Sequence, residues 1–304
     1  MSCSCKNNFV ISADISDSHI TAAIVDLNKK VIIDHTHTRL EVNFEGTSVE
    51  ILETWAEALK QAVRKFDFPV YLIALAIPGP FDYEHGISLI KGLHKYEAIY
   101  GLNIKRYLSE ELNVKPENIL LRNDAEAFLH GEVVAGAGAG YRKVIGITLG
   151  NSLGSAKSSL GVTRELNLGI SKFNNSIVDD YLSIRFFIKR YFELTGKSVP
   201  NVKALAEIAE NGGKEALLIF KVFTYNLCFF LKDFINAEKA DVVVIGGNIT
   251  QVSRLFFKPL IDEMAGYFED VEIKIAQLDK DSALIGAAAA FDVRKDQSTV
   301  SVLI

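Results

Sequence analysis

The stretch LLRNDAEAF places Asn123 and Asp124 where an apolar run gives way to a helical pattern. Strand ends in α/β sheets are where ligands bind. An aspartate there has the chemistry of a general base, able to take a proton from a hydroxyl that attacks a phosphoryl group. The same dipeptide also suits a helix N-cap, because either side chain can accept a backbone N–H. From these two residues alone the cap is the better reading, and the base stays open beside it.

A second candidate is SADISDSHITAAIVDLN, an apolar run, a tight polar turn at Ser16-Asp17-Ser18-His19, and another apolar run. A turn that receives phosphate usually carries glycines, so that backbone N–H groups can approach the anion. Here the carboxylate of Asp17 stands in that place. Two like unit charges about 4 Å apart cost about 4 kcal/mol at an effective dielectric near 20, which is roughly a thousandfold in affinity. A bridging metal ion would offset the repulsion, and rotation of the side chain into solvent would relieve it. Aspartate is also a good turn former with no ligand at all.

Glycines punctuate three more strand ends. AIPGPFD sets Gly79 after a buried strand, as a stiff pocket wall or simply a rigid turn. ITLGNSLGSA makes a second hairpin with Gly150, Asn151, Ser152 and Gly154 at its turn. VVIGGN puts Gly246 and Gly247 before a helix, where they admit a ring or a phosphate, or only close strand–helix packing.

The elements that position these residues alternate. Three consecutive strands, FVISADIS, ITAAIVDL and VIIDHTHTRL, precede a helix over residues 47–66, with Thr47 and Glu50 as a capping box. VYLIALAIP and NILLRND read as further strands, and LNIKRYLSEEL and AEAFLHGEVVAGAGAG as helices. The pattern restarts at KVIGITLG, with helices over residues 176–195, 202–210 and 214–236. The strands ADVVVIGGN and VEIKIAQL and the small-residue helix SALIGAAAAF close the chain. Two halves that each open with a hairpin predict two α/β domains with a cleft between them.

With 304 residues the chain can bury a large core, and a net charge of −5 without a long basic run argues against nucleic acid or an anionic membrane as main partner. No uncharged apolar stretch is long enough to span a membrane, and MSCSCKNN lacks the apolar core of a signal peptide. Of the three cysteines, Cys3 and Cys5 lie in a polar tail and Cys228 in an apolar run, which predicts a reducing cytoplasm and a buried Cys228.

Taken in order, ADISDS, AIPGPFD, RNDAEA, ITLGNSLGSA and VVIGGN resemble the ROK family (repressors, open reading frames and sugar kinases) of the actin-like ATPase superfamily, over nearly the whole chain. The resemblance implies two actin-like (ribonuclease H-like) domains, residues 1–122 plus 282–304 and residues 123–281, with an interdomain cleft. It implies an ATP-dependent kinase for a hexose or amino-sugar hydroxyl, with Mg2+ arriving with the nucleotide, and a homodimer. Asp124 would be the catalytic base, with Gly79, Asn123, Glu165 and Asp179 toward the sugar. Asp14, Ser16, Asp17 and Ser18, Gly150, Asn151, Ser152 and Gly154, and Gly246 and Gly247 would handle phosphate and nucleotide, with Asp14 a candidate for the Mg2+.

The departures from the family pattern are equally specific. The family sugar motif E-x-G-H becomes Glu165-Leu166-Asn167-Leu168, and no histidine follows His130. The family zinc site needs a histidine and a cysteine cluster, and this half has only Cys228, so no structural zinc is expected. The asparagine-containing sugar loop is not recognisable in IKGLHKYEAIYGL, where His94 or Lys95 would substitute, or would be plain exposed loop residues. Two readings stay open beside the kinase. One is a non-catalytic sugar-binding relative with lost or weakened ATP turnover. The other is a DNA-binding repressor, which needs a helix-turn-helix ahead of a first strand that begins near Phe9.

Overall fold

The computed structural model describes residues 8–300, with side chains as far as residue 292; Cys3 and Cys5 lie outside the described residues. Its contacts divide the chain into two units. The first runs to Gly136 and resumes at Lys280, and the second spans Ala137–Asp279.

In the first unit, β1 (Phe9–Ile15) and β2 (His19–Asp26) form an antiparallel hairpin in which Ile15 pairs with Ile20. The expected third strand is two short ones, β3 (Val31–Ile32) and β4 (Thr38–Glu41), both paired to β2 and separated by a 3-10 turn at Asp34–Thr36. The break has a local cause: the buried Thr36 hydroxyl takes the Ile24 N–H at 2.9 Å, where a continuous strand would have offered a carbonyl. Helix α1 (Ser48–Arg64) starts at the expected capping box, with Thr47 and Glu50 each satisfying the other's backbone N–H. Its buried stripe includes Ile51, Leu52, Trp55 and Leu59.

Then come β5 (Leu72–Ile77), a small hairpin of β6 (Phe81–Asp82) and β7 (Ile87–Ser88), α2 (Ile104–Leu112), β8 (Ile119–Asn123) and α3 (Asp124–Ala135). The main sheet has the order β3-β2-β1-β5-β8, with β1, β5 and β8 parallel. β5 is buried along nearly its whole length, as its unbroken apolar run requires.

The second unit repeats the plan. The hairpin of β9 (Lys143–Leu149) and β10 (Leu153–Ser159) is extended by β11 (Val162–Glu165). A two-stranded ribbon follows, β12 (Lys172–Phe173) and β13 (Ser176–Ile177), then α4 (Asp179–Leu182), α5 (Ile184–Thr195), α6 (Val202–Glu210) and α7 (Lys214–Glu238). β14 (Val242–Gly246), α8 (Phe257–Met264) and β15 (Glu272–Ile275) complete it. Its sheet order, β11-β10-β9-β14-β15, matches that of the first unit, again with three strands, β9, β14 and β15, parallel. Cys228 is buried in α7, and burial pushes its thiol up to about 11.

Two expectations need correction. The single helix over residues 176–195 is a strand, a one-turn helix and a longer helix, broken at the extended residue Ser183. The domain boundary falls after Gly136 and before Lys280, not at residues 123 and 282. The reason is the closing helix α9 (Ser282–Val300), whose Gly286 meets the backbone of Ala127 and Gly131, while Gly131 meets Ser282. Side chains as small as these let two helices approach to backbone contact, so α3 stays with α9.

Candidate functional site

In the first unit the parallel strands β1, β5 and β8 end together, and their carboxyl ends carry Asp14-Ile15, Pro78-Gly79 and Asn123-Asp124. Asn123 and Asp124 divide the two roles that the sequence left open. Asn123 is the cap: it is buried, its Oδ1 accepts the Glu126 N–H at 3.1 Å, and its Nδ2 donates to the Tyr83 hydroxyl at 3.3 Å. Tyr83 in turn donates to the Ile77 carbonyl at 3.0 Å and leaves little room beyond Gly79. Asp124 is therefore released from capping. Its Oδ1 accepts the adjacent Ala125 N–H, at 2.9 Å. Burial raises the Asp124 pKa, opposed by that hydrogen bond and by the charge of Lys95.

Asp14 sits on the neighbouring strand. Burial first, and then the negative charge of Asp124, push its carboxyl from an ordinary 3.8 up to about 7, with Arg39 pulling the other way. Arg39 reaches this position by register: Asp14 pairs with Thr21, and Thr21 pairs with Arg39 across β4. Nothing in the local sequence marked Arg39, because its partner lies two strands away.

The first turn is closed by side chains. Lys95 Nζ lies 2.8 Å from Asp17 Oδ1. The Tyr96 hydroxyl donates to the Ser16 carbonyl at 2.6 Å. The Ser16 and Ser18 hydroxyls lie 2.9 and 3.1 Å from His19 Nδ1, and Arg39 Nη2 lies 3.3 Å from the same nitrogen. A guanidinium only donates, so Nδ1 is the acceptor and the ring proton is on Nε2. Desolvation and Arg39 lower the His19 pKa accordingly, so the ring stays neutral. The repulsive charge expected at Asp17 is thus paired with a lysine 78 positions away. His94 is exposed, its N–H bonded to Glu97 at 2.9 Å, whereas Lys95 is no idle loop residue.

The second unit builds its turn from backbone. Gly150 N–H donates to the Ser152 carbonyl at 3.3 Å, and Ile184 N–H to the Gly150 carbonyl at 2.9 Å. Asp179 Oδ1 accepts the Leu153 N–H at 2.6 Å. The helix break at Ser183 serves this turn, since it frees the Ile184 N–H, and the Ser183 hydroxyl bonds back to the Asp179 carbonyl at 2.6 Å. Asn151 and Ser152 are exposed and Gly154 half-buried at the head of β10. Gly246 ends β14, and Gly247 has φ +88°, where an added Cβ would lie 2.5 Å from the Leu149 carbonyl oxygen. Gly247 is therefore required by packing whatever else it does. Glu165 is exposed at the end of β11, and Asn167 adopts φ +51°. Asparagine is among the residues most tolerant of that conformation after glycine, so the motif departure at this position keeps the backbone.

The match to a family model covers residues 10–159, both hairpins and the Asn123-Asp124 segment, and its description is ROK family. Over these residues the chain carries the ROK family pattern. The chain is 22% identical to a glucokinase of Thermotoga maritima, over 94% of its own length and 98% of that protein's. It is also 22% identical to a xylose repressor of Bacillus spizizenii, over 57% of its length and 42% of the repressor. Among solved structures it matches a ROK family glucokinase from Streptomyces griseus, in complex with glucose and AMPPNP, with a TM-score of 0.75 at 19% identity, covering 93% of this chain and 98% of that one. The fold is the two-domain actin-like α/β fold of these ROK kinases.

Mg2+ with a nucleoside triphosphate is the group this fold implies, and the residues fit it. Among the described residues no three His, Cys, Asp or Glu side chains are grouped to hold a metal ion. Mg2+ bound with phosphates needs no such cage, only one or two carboxylates. Asp14, whose charge is disfavoured by burial and by Asp124, is the carboxylate that a cation would relieve. No helix among the described residues is long and apolar enough to cross a membrane.

Proposed function

We propose that this chain is a cytoplasmic, ATP-dependent sugar kinase, phosphorylating a hexose or amino-sugar hydroxyl, with Asp124 as general base. The observation that carries the reading is the division of labour at the β8–α3 junction. Asn123 caps the helix, and Asp124 is left with a carboxylate of raised pKa at the end of the parallel strands. A base with a raised pKa accepts a hydroxyl proton more readily at neutral pH. Asp14 would hold the Mg2+, and Lys95 and Arg39 supply positive charge beside the first turn. ATP, when bound, supplies the phosphoryl group. The relatives named glucokinase support the reading at the level of the family.

The second reading, a sugar-binding relative with weakened turnover, has its own support. Leu168 stands where the resemblance calls for histidine, and Asp179 commits one carboxylate oxygen to Leu153. Phosphoryl transfer from ATP to a panel of hexoses and amino sugars decides between them. The kinase reading expects turnover that Asp124→Asn lowers about a hundredfold or more. Sugar affinity should stay nearly unchanged, because a base acts mainly in the transition state. Turnover should also fall as pH drops through the raised pKa of Asp124, since the base must be ionised to act. Sugar binding without transfer to any of the panel would establish the second reading.

A further inference from the structure

The two departures in the first unit that looked unrelated, an aspartate in the phosphate turn and a lysine in the unrecognisable sugar loop, are in contact. Lys95 Nζ and Asp17 Oδ1 are 2.8 Å apart, with the two side chains 24% and 36% exposed. The backbone on either side of Lys95 is unusual. His94 and Tyr96 both take left-handed φ values, +55° and +53°, a conformation that residues with a Cβ seldom adopt. Tyr96 is fully buried, its N–H bonds the Phe44 carbonyl at 3.0 Å, and its ring lies 5.5 Å from that of Trp55. Its hydroxyl then grips the Ser16 carbonyl of the turn itself. The segment is bent and anchored so that the lysine ammonium is delivered to the turn.

We propose that Lys95 is the phosphate-contacting cation of this site, that Asp17 holds its ammonium in place in the free protein, and that a terminal phosphoryl oxygen of a bound nucleoside triphosphate replaces Asp17 on it. The proposal rests on the kinase reading for the identity of the ligand. An ammonium is a compact point charge that can exchange a carboxylate for a more highly charged phosphoryl group without rebuilding its geometry. Charge balance allows the exchange: the carboxylates of Asp14, Asp17 and Asp124 lie in the field of Lys95 and Arg39. The charge of Lys95 also pulls the Asp124 pKa down, so the ammonium acts electrostatically on the proposed base.

The test is calorimetric titration of the full chain with AMPPNP, ADP and inorganic tripolyphosphate, with melting curves to show that each variant is folded. Lys95→Met should weaken AMPPNP and tripolyphosphate about tenfold or more and leave ADP within about twofold, the loss expected for one charged hydrogen bond to the terminal phosphate. Lys95→Arg should retain most of the affinity, and Asp17→Asn should tighten AMPPNP by removing the competing carboxylate. Equal loss for ADP and AMPPNP, or loss confined to a sugar or a sugar acid, would overturn the proposal. So would the lack of any Lys95-dependent polyphosphate binding. Lys95-dependent tripolyphosphate binding in a chain that transfers phosphoryl to no sugar would leave the proposal standing and remove the kinase reading.

Discussion

The two hairpin turns share one topology and are held by different balances of side chain and backbone. Each joins the first two strands of a sheet with the same strand order. Beyond the backbone bonds from Ser16 N–H to the His19 carbonyl and from Val42 N–H to the Ser18 carbonyl, the β1–β2 turn is closed by side chains: Asp17 by Lys95, Ser16 by Tyr96 and His19, and His19 by Arg39. The β9–β10 turn leans more on backbone, with the Gly150 and Ile184 N–H groups bonded to carbonyls and Gly247 pressed against Leu149, beside one side-chain bond from the Leu153 N–H to Asp179. A turn held by side chains can change its charges and keep its shape. A turn held by backbone can keep its shape only while the residues that permit the approach stay small. This explains how Asp17 is tolerated in a turn of the first unit while Gly247 remains in the second.

The largest stability effect should therefore come from the second unit. Gly247→Ala places a Cβ 2.5 Å from the Leu149 carbonyl oxygen at a φ of +88°. The positive φ and the overlap together should destabilise by about 2–4 kcal/mol. Denaturant unfolding should show a lower midpoint with an unchanged slope. If Gly247→Ala unfolds at the wild-type midpoint, the backbone account of this turn is wrong.

The contrast also shows what the sequence could and could not reveal. Strand and helix alternation, the two hairpins and the candidate base at Asp124 follow from local pattern, because each depends on neighbours within a turn or a strand. The role of Asn123 was ambiguous, since capping and base chemistry ask for the same residue types at one junction; only the hydrogen bonds to Glu126 and Tyr83 separate them. Lys95 was visible as a candidate but not as the partner of Asp17, because 78 residues of chain intervene. Arg39 was invisible, since its neighbour Asp14 is reached by strand register. The helix over residues 176–195 was misread for the same reason. The local pattern is helical, and the bond from Ile184 to Gly150 that breaks it is tertiary.

An intermediate effect tests the charge economy of the first turn. Asp14 has a folded-state pKa of about 7 against an ordinary 3.8, so between those values the folded chain binds a proton that the unfolded chain has lost. Its ionisation therefore removes stability as pH rises from about 4 to about 7, and the loss is complete above that. Asp14→Asn abolishes the titration. The variant should gain on the wild type as pH rises through that window, by an amount of order 1–2 kcal/mol at pH 8 once solvent screening of a partly exposed group is allowed for. Melting curves at pH 5 and pH 8 give the comparison. A gap that is constant between pH 5 and pH 8 would mean that Asp14 does not titrate in the folded chain over that window, against the raised pKa.

The smallest effect should come from Asn167, and it sharpens the contrast with Gly247. Both residues have positive φ, +51° and +88°, and both lie in the second unit. Positive φ alone would predict that both positions require glycine. Asn167 already carries a side chain there, so no overlap can be relieved by removing it. Asn167→Gly would ease a mild backbone preference, worth some tenths of a kcal/mol for asparagine, and would add about as much conformational freedom to the unfolded chain. The two terms oppose each other, and the change should stay within about 0.5 kcal/mol of zero. It should also leave sugar affinity unchanged, since the backbone of the family motif is already in place and the missing group is the side chain at Leu168. A loss of 2 kcal/mol or so would show that the Asn167 amide holds its loop through contacts of its own. The loop after β11 would then belong with the turns held by side chains.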